Sequence, residues 1–180
     1  MSSISAQVDA METGLSLLEQ QFSDLPMLEI LTSRLLIYFG REMNTRLDQQ
    51  LKTTGLTDIE FRTLMYVFLH SRVESCAYPS ELCSSLAQSP ANMTRLTDAL
   101  VTRELITRIP DAQDRRRLVL QTTPAGDALV QQLMPTLATS LRRSFGDFDP
   151  ADLQTLVHIL KRLATVLDKT PIEPITESTP

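Results

Sequence analysis

The sequence predicts a mainly α-helical chain that carries one small β-wing. Three observations support that prediction. Apolar residues recur at three- and four-residue spacing along most of the 180 positions. Thr57, Ser89, Thr123 and Asp149 each stand where a side-chain oxygen can cap the first free amides of a helix. Only two short runs, 106–109 and 118–122, read as strands, and they flank the stretch 111-DAQDRRR-117.

The first element is a weak amphipathic stretch over 1–22, with Leu15, Leu17, Leu18 and Phe22, ended by Leu25-Pro26. A long helix follows, in which Leu31, Leu35, Phe39, Met43, Leu47 and Leu51 repeat every four residues, and Gly55 ends it. Thr57-Asp-Ile-Glu60 is a capping box, so a helix starts there with Phe61, Leu64, Met65 and Phe68 on its apolar face. A short helix begins at Pro79 and carries Leu82 and Leu86. Ser89 caps the next one, with Pro90 at its first position and Met93, Leu96 and Leu100 as its buried stripe. After the two strands, Thr123-Pro124 starts a long helix with Leu129, Leu133, Leu137 and Leu141, bent at Pro135. Asp149-Pro150 starts the last helix, with Leu153, Leu156, Val157, Leu160, Leu163 and Leu167. The stretch 171–180 holds three prolines and reads as disordered.

The order helix, turn, helix, strand, arginine loop, strand is that of a winged helix-turn-helix. The divisions expected are an N-terminal extension at 1–25, a winged lobe at 56–123, dimerisation helices at 26–55 and 124–168, and a tail at 169–180.

The net charge of −5 argues against a nucleic-acid partner, but its distribution does not. Residues 1–29 hold five acids and no base, whereas 89–117 hold six arginines against four acids. A local basic face on an acidic body suits site-specific DNA binding. With Met93 and Leu100 inward, Ala91, Arg95, Asp98 and Thr102 point outward, flanked by Asn92 and Thr94. Ser89, Asn92, Thr94 and Arg95 cluster at the helix start, where amide dipoles favour phosphate, and Ala91 can meet a thymine methyl. In the loop, Asp111 and Asp114 can cap turn amides. Arg115 at the tip can enter a minor groove. Arg116 and Arg117 can take phosphates, or one of them can pair with Asp98 and brace the wing. The bland alternative is a solvated helix face beside a charged hairpin turn.

Residues 79-PSELCSSLAQSPANMTRLTDALVTRELITR-108 and 111-DAQDRRRLVLQTTPAG-126 resemble the MarR family of bacterial transcription regulators. Ser80, Leu82, Thr94, Arg95, Asp98, Leu100, Asp111, Asp114, Arg115 and Arg116 carry the match. The acidic N-terminal stretch and 28-LEILTSRLL-36 look most like its EmrR/MprA branch, regulators of multidrug efflux. Two positions depart from the family pattern: Glu104 replaces a glycine after the second helix of the motif, and Thr122 replaces an apolar residue ahead of Thr123. Two cysteines are too few for a disulfide scaffold and suit a reducing cytoplasm. The resemblance implies a homodimer built by the N- and C-terminal helices, bound to a pseudo-palindromic operator on double-stranded DNA. It also implies a repressor of efflux or stress genes, released by a small aromatic or phenolic effector. Arg34 as counter-charge, with Tyr38, Met65 and Tyr66 as walls, are the candidate effector residues, although a tyrosine or methionine at helical spacing is more often plain core.

Two rivals stand beside this reading. One is a winged-helix module that binds proteins. The other is a redox-sensing regulator using Cys76 and Cys83, although a low thiol pKa needs positive surroundings and only Arg72 is near in sequence. His70 and His158 lack metal-ligand spacing with the cysteines. No P-loop, dinucleotide-binding glycine pattern, H-E-x-x-H or G-x-S-x-G occurs, so neither cofactor nor enzyme is expected.

Overall fold

A computed structural model describes residues 3–72 and 77–172. The chain divides into two compact units, Met1–Leu133 and Met134–Pro180. In the first unit, α1 (Ile4–Gln21) starts at Ser3, whose hydroxyl accepts from the Ala6 amide. It packs on α2 (Met27–Leu51), burying Leu15, and the Tyr38 hydroxyl donates to Gln7 across that contact. The N-terminal extension is thus a full helix. Of the expected α2 stripe, Leu51 is buried, Leu31, Leu35, Met43 and Leu47 are half-buried, and Phe39 is exposed.

A single 3₁₀ turn, Lys52–Thr54, leads to Gly55 at φ 66°, where glycine adopts the left-handed backbone without a Cβ clash. The Thr57 capping box forms in full and opens α3 (Asp58–His70). The buried face of α3 is Phe61, Thr63, Leu64 and Val67. Met65 and Phe68, expected on it, are only half-buried, because the face is centred on Leu64 and Val67 rather than between them and Phe68.

The helix-turn-helix comprises α4 (Pro79–Ser85) and α5 (Pro90–Thr102). Ala87 turns the chain between them with φ 49°. β1 (Ile106–Pro110) and β2 (Leu118–Thr122) pair antiparallel, Ile106 opposite Thr122 and Pro110 opposite Leu118. Ala77 adds a bridge to Leu120 that sequence reasoning did not anticipate. The core gathers Leu51, Leu64, Leu82, Met93, Leu96, Leu100, Ile106, Leu120 and Val130, all fully buried.

α6 (Pro124–Phe145) is fastened at its start. Thr123 Oγ1 accepts from the Gly126 amide and donates to the Glu104 carbonyl, and the Thr123 amide donates to the Leu105 carbonyl at 3.1 Å. A methyl at Gly126 would sit 2.0 Å from the Leu105 carbonyl oxygen, so only glycine permits this approach. The helix continues through Pro135. In the second unit, Asp149 caps α7 (Pro150–Leu167), which buries none of its residues within the chain. The far end of the expected tail, 173–180, lies outside the described residues.

Candidate nucleic-acid interface

Ser89 Oγ accepts from the Asn92 amide at 3.2 Å, and Pro90 occupies the first turn, so α5 begins where its sequence says it should. Met93, Leu96, Thr97 and Leu100 face the core. Ala91, Thr94, Arg95 and Asp98 are left exposed around the N-terminal turns. Asn92 has a part not foreseen. Its Nδ2 donates to Gln88 Oε1 at 2.5 Å, and its Oδ1 accepts from Arg95 Nε and Nη2 at 3.2 and 3.0 Å. Asn92 therefore props Arg95, and Gln88 fixes the orientation of the Asn92 amide.

The wing loop is held from within. Asp111 is buried, and its Oδ1 accepts from the Gln113 and Asp114 amides at 2.6 and 3.3 Å. Asp114 Oδ1 accepts from the Arg116 amide at 3.0 Å, and the Arg117 amide donates to the Asp114 carbonyl at 2.8 Å. These are the turn caps expected of the two aspartates. Asp111 Oδ2 accepts from the Tyr78 hydroxyl. That bond above all, with the Gln113 amide next, holds the Asp111 carboxyl below its ordinary pKa. Burial opposes the shift, while the Asp114 amide and the Arg117 charge add to it.

Arg115, Arg116 and Arg117 are all exposed. Arg115 and Arg116 have no side-chain partner among the described residues. Arg117 differs, since its guanidinium carbon lies 3.7 Å from the centroid of the Tyr78 ring. The brace between wing and α5 forms, but not through the arginines expected to make it. Arg108 of β1 pairs with Asp98 Oδ1 at 2.6 Å and donates to the buried Thr97 Oγ1, also at 2.6 Å. Neither Arg116 nor Arg117 reaches Asp98, because strand pairing puts Arg108 on the same face as Ile106, toward α5. That two-residue spacing was the signal in the sequence. Tyr78 offered none.

The four candidate effector residues sit on two helices. Arg34 is exposed on α2, and Tyr38 pairs edge-on with Phe39 at 5.4 Å between ring centroids. Met65 and Tyr66 are half-buried on α3, and Tyr66 stacks on His70 at 3.8 Å. Cys83 is half-buried, and Cys76 lies outside the described residues. Arg72, the base nearest the cysteines in sequence, is engaged elsewhere: it pairs with Asp127 at 2.9 Å and lies 3.5 Å over the Phe68 ring. Among the described residues, no group of three or more His, Cys, Asp or Glu could hold a metal, and no helix is long and apolar enough to cross a membrane.

The sequence profile of the MarR family matches residues 54–117, the stretch that holds α3 to the wing tip. The transcriptional repressor MprA of Escherichia coli K12 is 30% identical over 146 residues, covering 81% of this chain and 82% of that protein. The chain belongs to the MarR family. Solved MarR-family structures share its fold. A cysteine-to-serine mutant of E. coli MarR in complex with operator DNA superposes with a TM-score of 0.65 at 23% identity, covering 78% of this chain and 99% of that one. BpsR of Bordetella bronchiseptica, whose DNA binding is regulated by 6-hydroxynicotinic acid, superposes with a TM-score of 0.63 at 22% identity, covering 79% and 95%. MarR-family proteins are transcription regulators and not enzymes, in keeping with the class read from the sequence.

Proposed function

We propose that this MarR-family chain is a sequence-specific DNA-binding repressor of efflux or stress genes, acting as a homodimer on a pseudo-palindromic operator. The observation that carries the reading is the coupling of α5 to the arginine wing. Arg108 joins β1 to Asp98 and Thr97 of α5, so the strand that leads into the wing is fixed against the helix. α5 would read base edges in a major groove with Arg95, and Ala91, Thr94 and Ser89 would touch bases or phosphates beside it. Arg115 and Arg116 would take the neighbouring minor groove and backbone. The exposed Leu156, Val157, Ile159 and Leu160 of α7 support a second copy as partner.

Release by a small aromatic or phenolic anion completes the proposal, with Arg34 as counter-charge and Tyr38, Met65 and Tyr66 beside it. The efflux assignment and the effector class both rest on the sequence's resemblance to the MarR family and its EmrR/MprA branch.

Fluorescence anisotropy tests the reading, using DNA from upstream of the protein's own gene against scrambled DNA, with and without salicylate. Selective binding that weakens steeply with salt, and that salicylate reverses, is expected. Weak, sequence-blind binding at every salt concentration would instead favour a protein-interaction module. Salicylate release that is unchanged in Arg34→Ala would remove Arg34 from the effector site.

A further inference from the structure

Tyr78 is the last residue before α4, yet it touches the wing twice. Its hydroxyl donates to Asp111 Oδ2, and its ring lies beneath the Arg117 guanidinium. Beside it, the Ala77 carbonyl accepts from the Leu120 amide at 2.9 Å. The segment entering α4 is therefore fastened to the hairpin at two places: at β2 through Ala77 and at the turn through Tyr78. The second oxygen of the same carboxylate closes the turn on the Gln113 and Asp114 amides. One buried aspartate thus connects the shape of the turn to the start of the helix-turn-helix.

Such a connection has mechanical work to do. A two-stranded ribbon is marginal by itself, and its tip rocks unless something outside the ribbon holds it. Arg108 holds the strand to α5, but it acts three residues before Asp111 and leaves the turn unconstrained. Tyr78 supplies the missing hold at the turn. The guanidinium of Arg117 is then part of the scaffold, and Arg115 and Arg116 are the arginines left to reach outward.

We propose that Tyr78 is a positioning residue for the wing, fixing Asp111 and Arg117 against the entry to α4 so that Arg115 and Arg116 meet DNA at a set distance from α5. The proposal rests on the DNA-binding reading above. It moves Arg117, read from the sequence as a phosphate contact, into the scaffold of the wing and leaves Arg115 and Arg116 to the DNA. It also makes Ala77 and Tyr78, neither of them placed against DNA in this reading, determinants of operator affinity.

Two variants and two readouts test it. Tyr78→Phe keeps the ring under Arg117 and loses the hydroxyl, whereas Tyr78→Leu loses both. Trypsin cleavage after Arg115, Arg116 and Arg117 reports wing order without DNA. Operator binding at several salt concentrations reports how many phosphates the protein neutralises. Tyr78→Phe is expected to speed wing cleavage and weaken operator binding, each about fivefold, the usual effect of one net hydrogen bond. Tyr78→Leu should go further on both. The slope of log affinity against log salt should fall by about one for each phosphate that the wing no longer neutralises. Adding Tyr78→Phe to Asp111→Asn should change little, since the two act on one bond.

Wild-type rates of wing cleavage in both variants would overturn the proposal. So would faster cleavage with unchanged operator affinity and salt slope, because wing order would then be irrelevant to binding. A wild-type protein that selects no DNA would overturn the underlying reading and the proposal with it. Selective wild-type binding matched by both variants would overturn the proposal alone.

Discussion

Glu104 holds a left-handed backbone at φ 57°, a conformation that costs a residue with a Cβ about 1–2 kcal/mol. It persists because neighbouring groups over-determine it. The Glu104 amide donates to the Val101 carbonyl at 2.8 Å, and its own carbonyl accepts from Thr123 Oγ1. Glu104→Gly should therefore stabilise the fold, by about 0.5–1 kcal/mol once the greater freedom of glycine in the unfolded chain is subtracted. Urea denaturation would show it as a higher midpoint at constant slope, and a lower midpoint would mean that the Glu104 side chain contributes more than its backbone costs. This site was legible in advance, since the family pattern puts glycine where Glu104 stands. A second residue-scale expectation concerns acid. Asp111 is held below its ordinary pKa by the Tyr78 hydroxyl first, then by backbone amides and Arg117, with burial opposing. A depressed carboxyl contributes stability above its unfolded pKa of about 3.9 and loses it as pH falls through the folded value. Wild type should thus lose more of its urea resistance between about pH 5 and pH 3 than Asp111→Asn does. Parallel pH curves for the two proteins would deny Asp111 that role.

At the scale of elements, what the sequence showed and what it hid divide along one physical line. Helix starts depend on neighbours within four residues, so Thr57, Ser89 and Asp149 could be read directly, and each forms its cap. The turn caps of Asp111 and Asp114 are equally local. Packing between elements depends on register, which no short window contains. Hence the brace was expected from the loop arginines and comes from Arg108. Hence also Tyr78, 33 positions from Asp111, was not singled out. The α3 face was misjudged for a different, local reason: Thr63 is polar yet can be buried by donating to the Ile59 carbonyl at 2.7 Å. The brace makes its own prediction. Arg108→Ala removes an ion pair and leaves the buried Thr97 hydroxyl without its charged partner, which should cost about 1 kcal/mol in urea denaturation. In a double-mutant cycle with Asp98→Ala, the coupling should be only a few tenths of a kcal/mol, because Asp98 is half exposed and solvent screens it. A coupling well above 1 kcal/mol would show Asp98, rather than Thr97, to be the principal anchor.

For the whole molecule, the sequence established apolar faces without saying what covers them. The α7 stripe at Leu153, Leu156, Val157, Leu160, Leu163 and Leu167 was evident from spacing alone, but an internal bundle and a dimer would both use it. In the structure α7 buries none of its residues, and Leu156, Val157, Ile159, Leu160, Val166 and Leu167 remain exposed. Each of the six is about half exposed, so covering what remains in water would contribute about 1 kcal/mol apiece. A second copy of the same helix is a self-complementary cover, and two-fold pairing needs only one surface to be apolar. Binding the proposed operator needs two copies of α5 on half-sites about one helical turn of DNA apart, so dimerisation and operator affinity should fail together. Sedimentation equilibrium at micromolar concentration is expected to give twice the chain mass. Leu160→Glu would place a charge in the middle of the stripe; it should shift the protein toward the monomer and weaken operator binding at least tenfold, while the lobe around Leu64 and Leu96 keeps its fold by circular dichroism. A wild-type monomer would refute the pairing. A Leu160→Glu dimer with unchanged operator affinity would locate the pairing surface elsewhere on the chain.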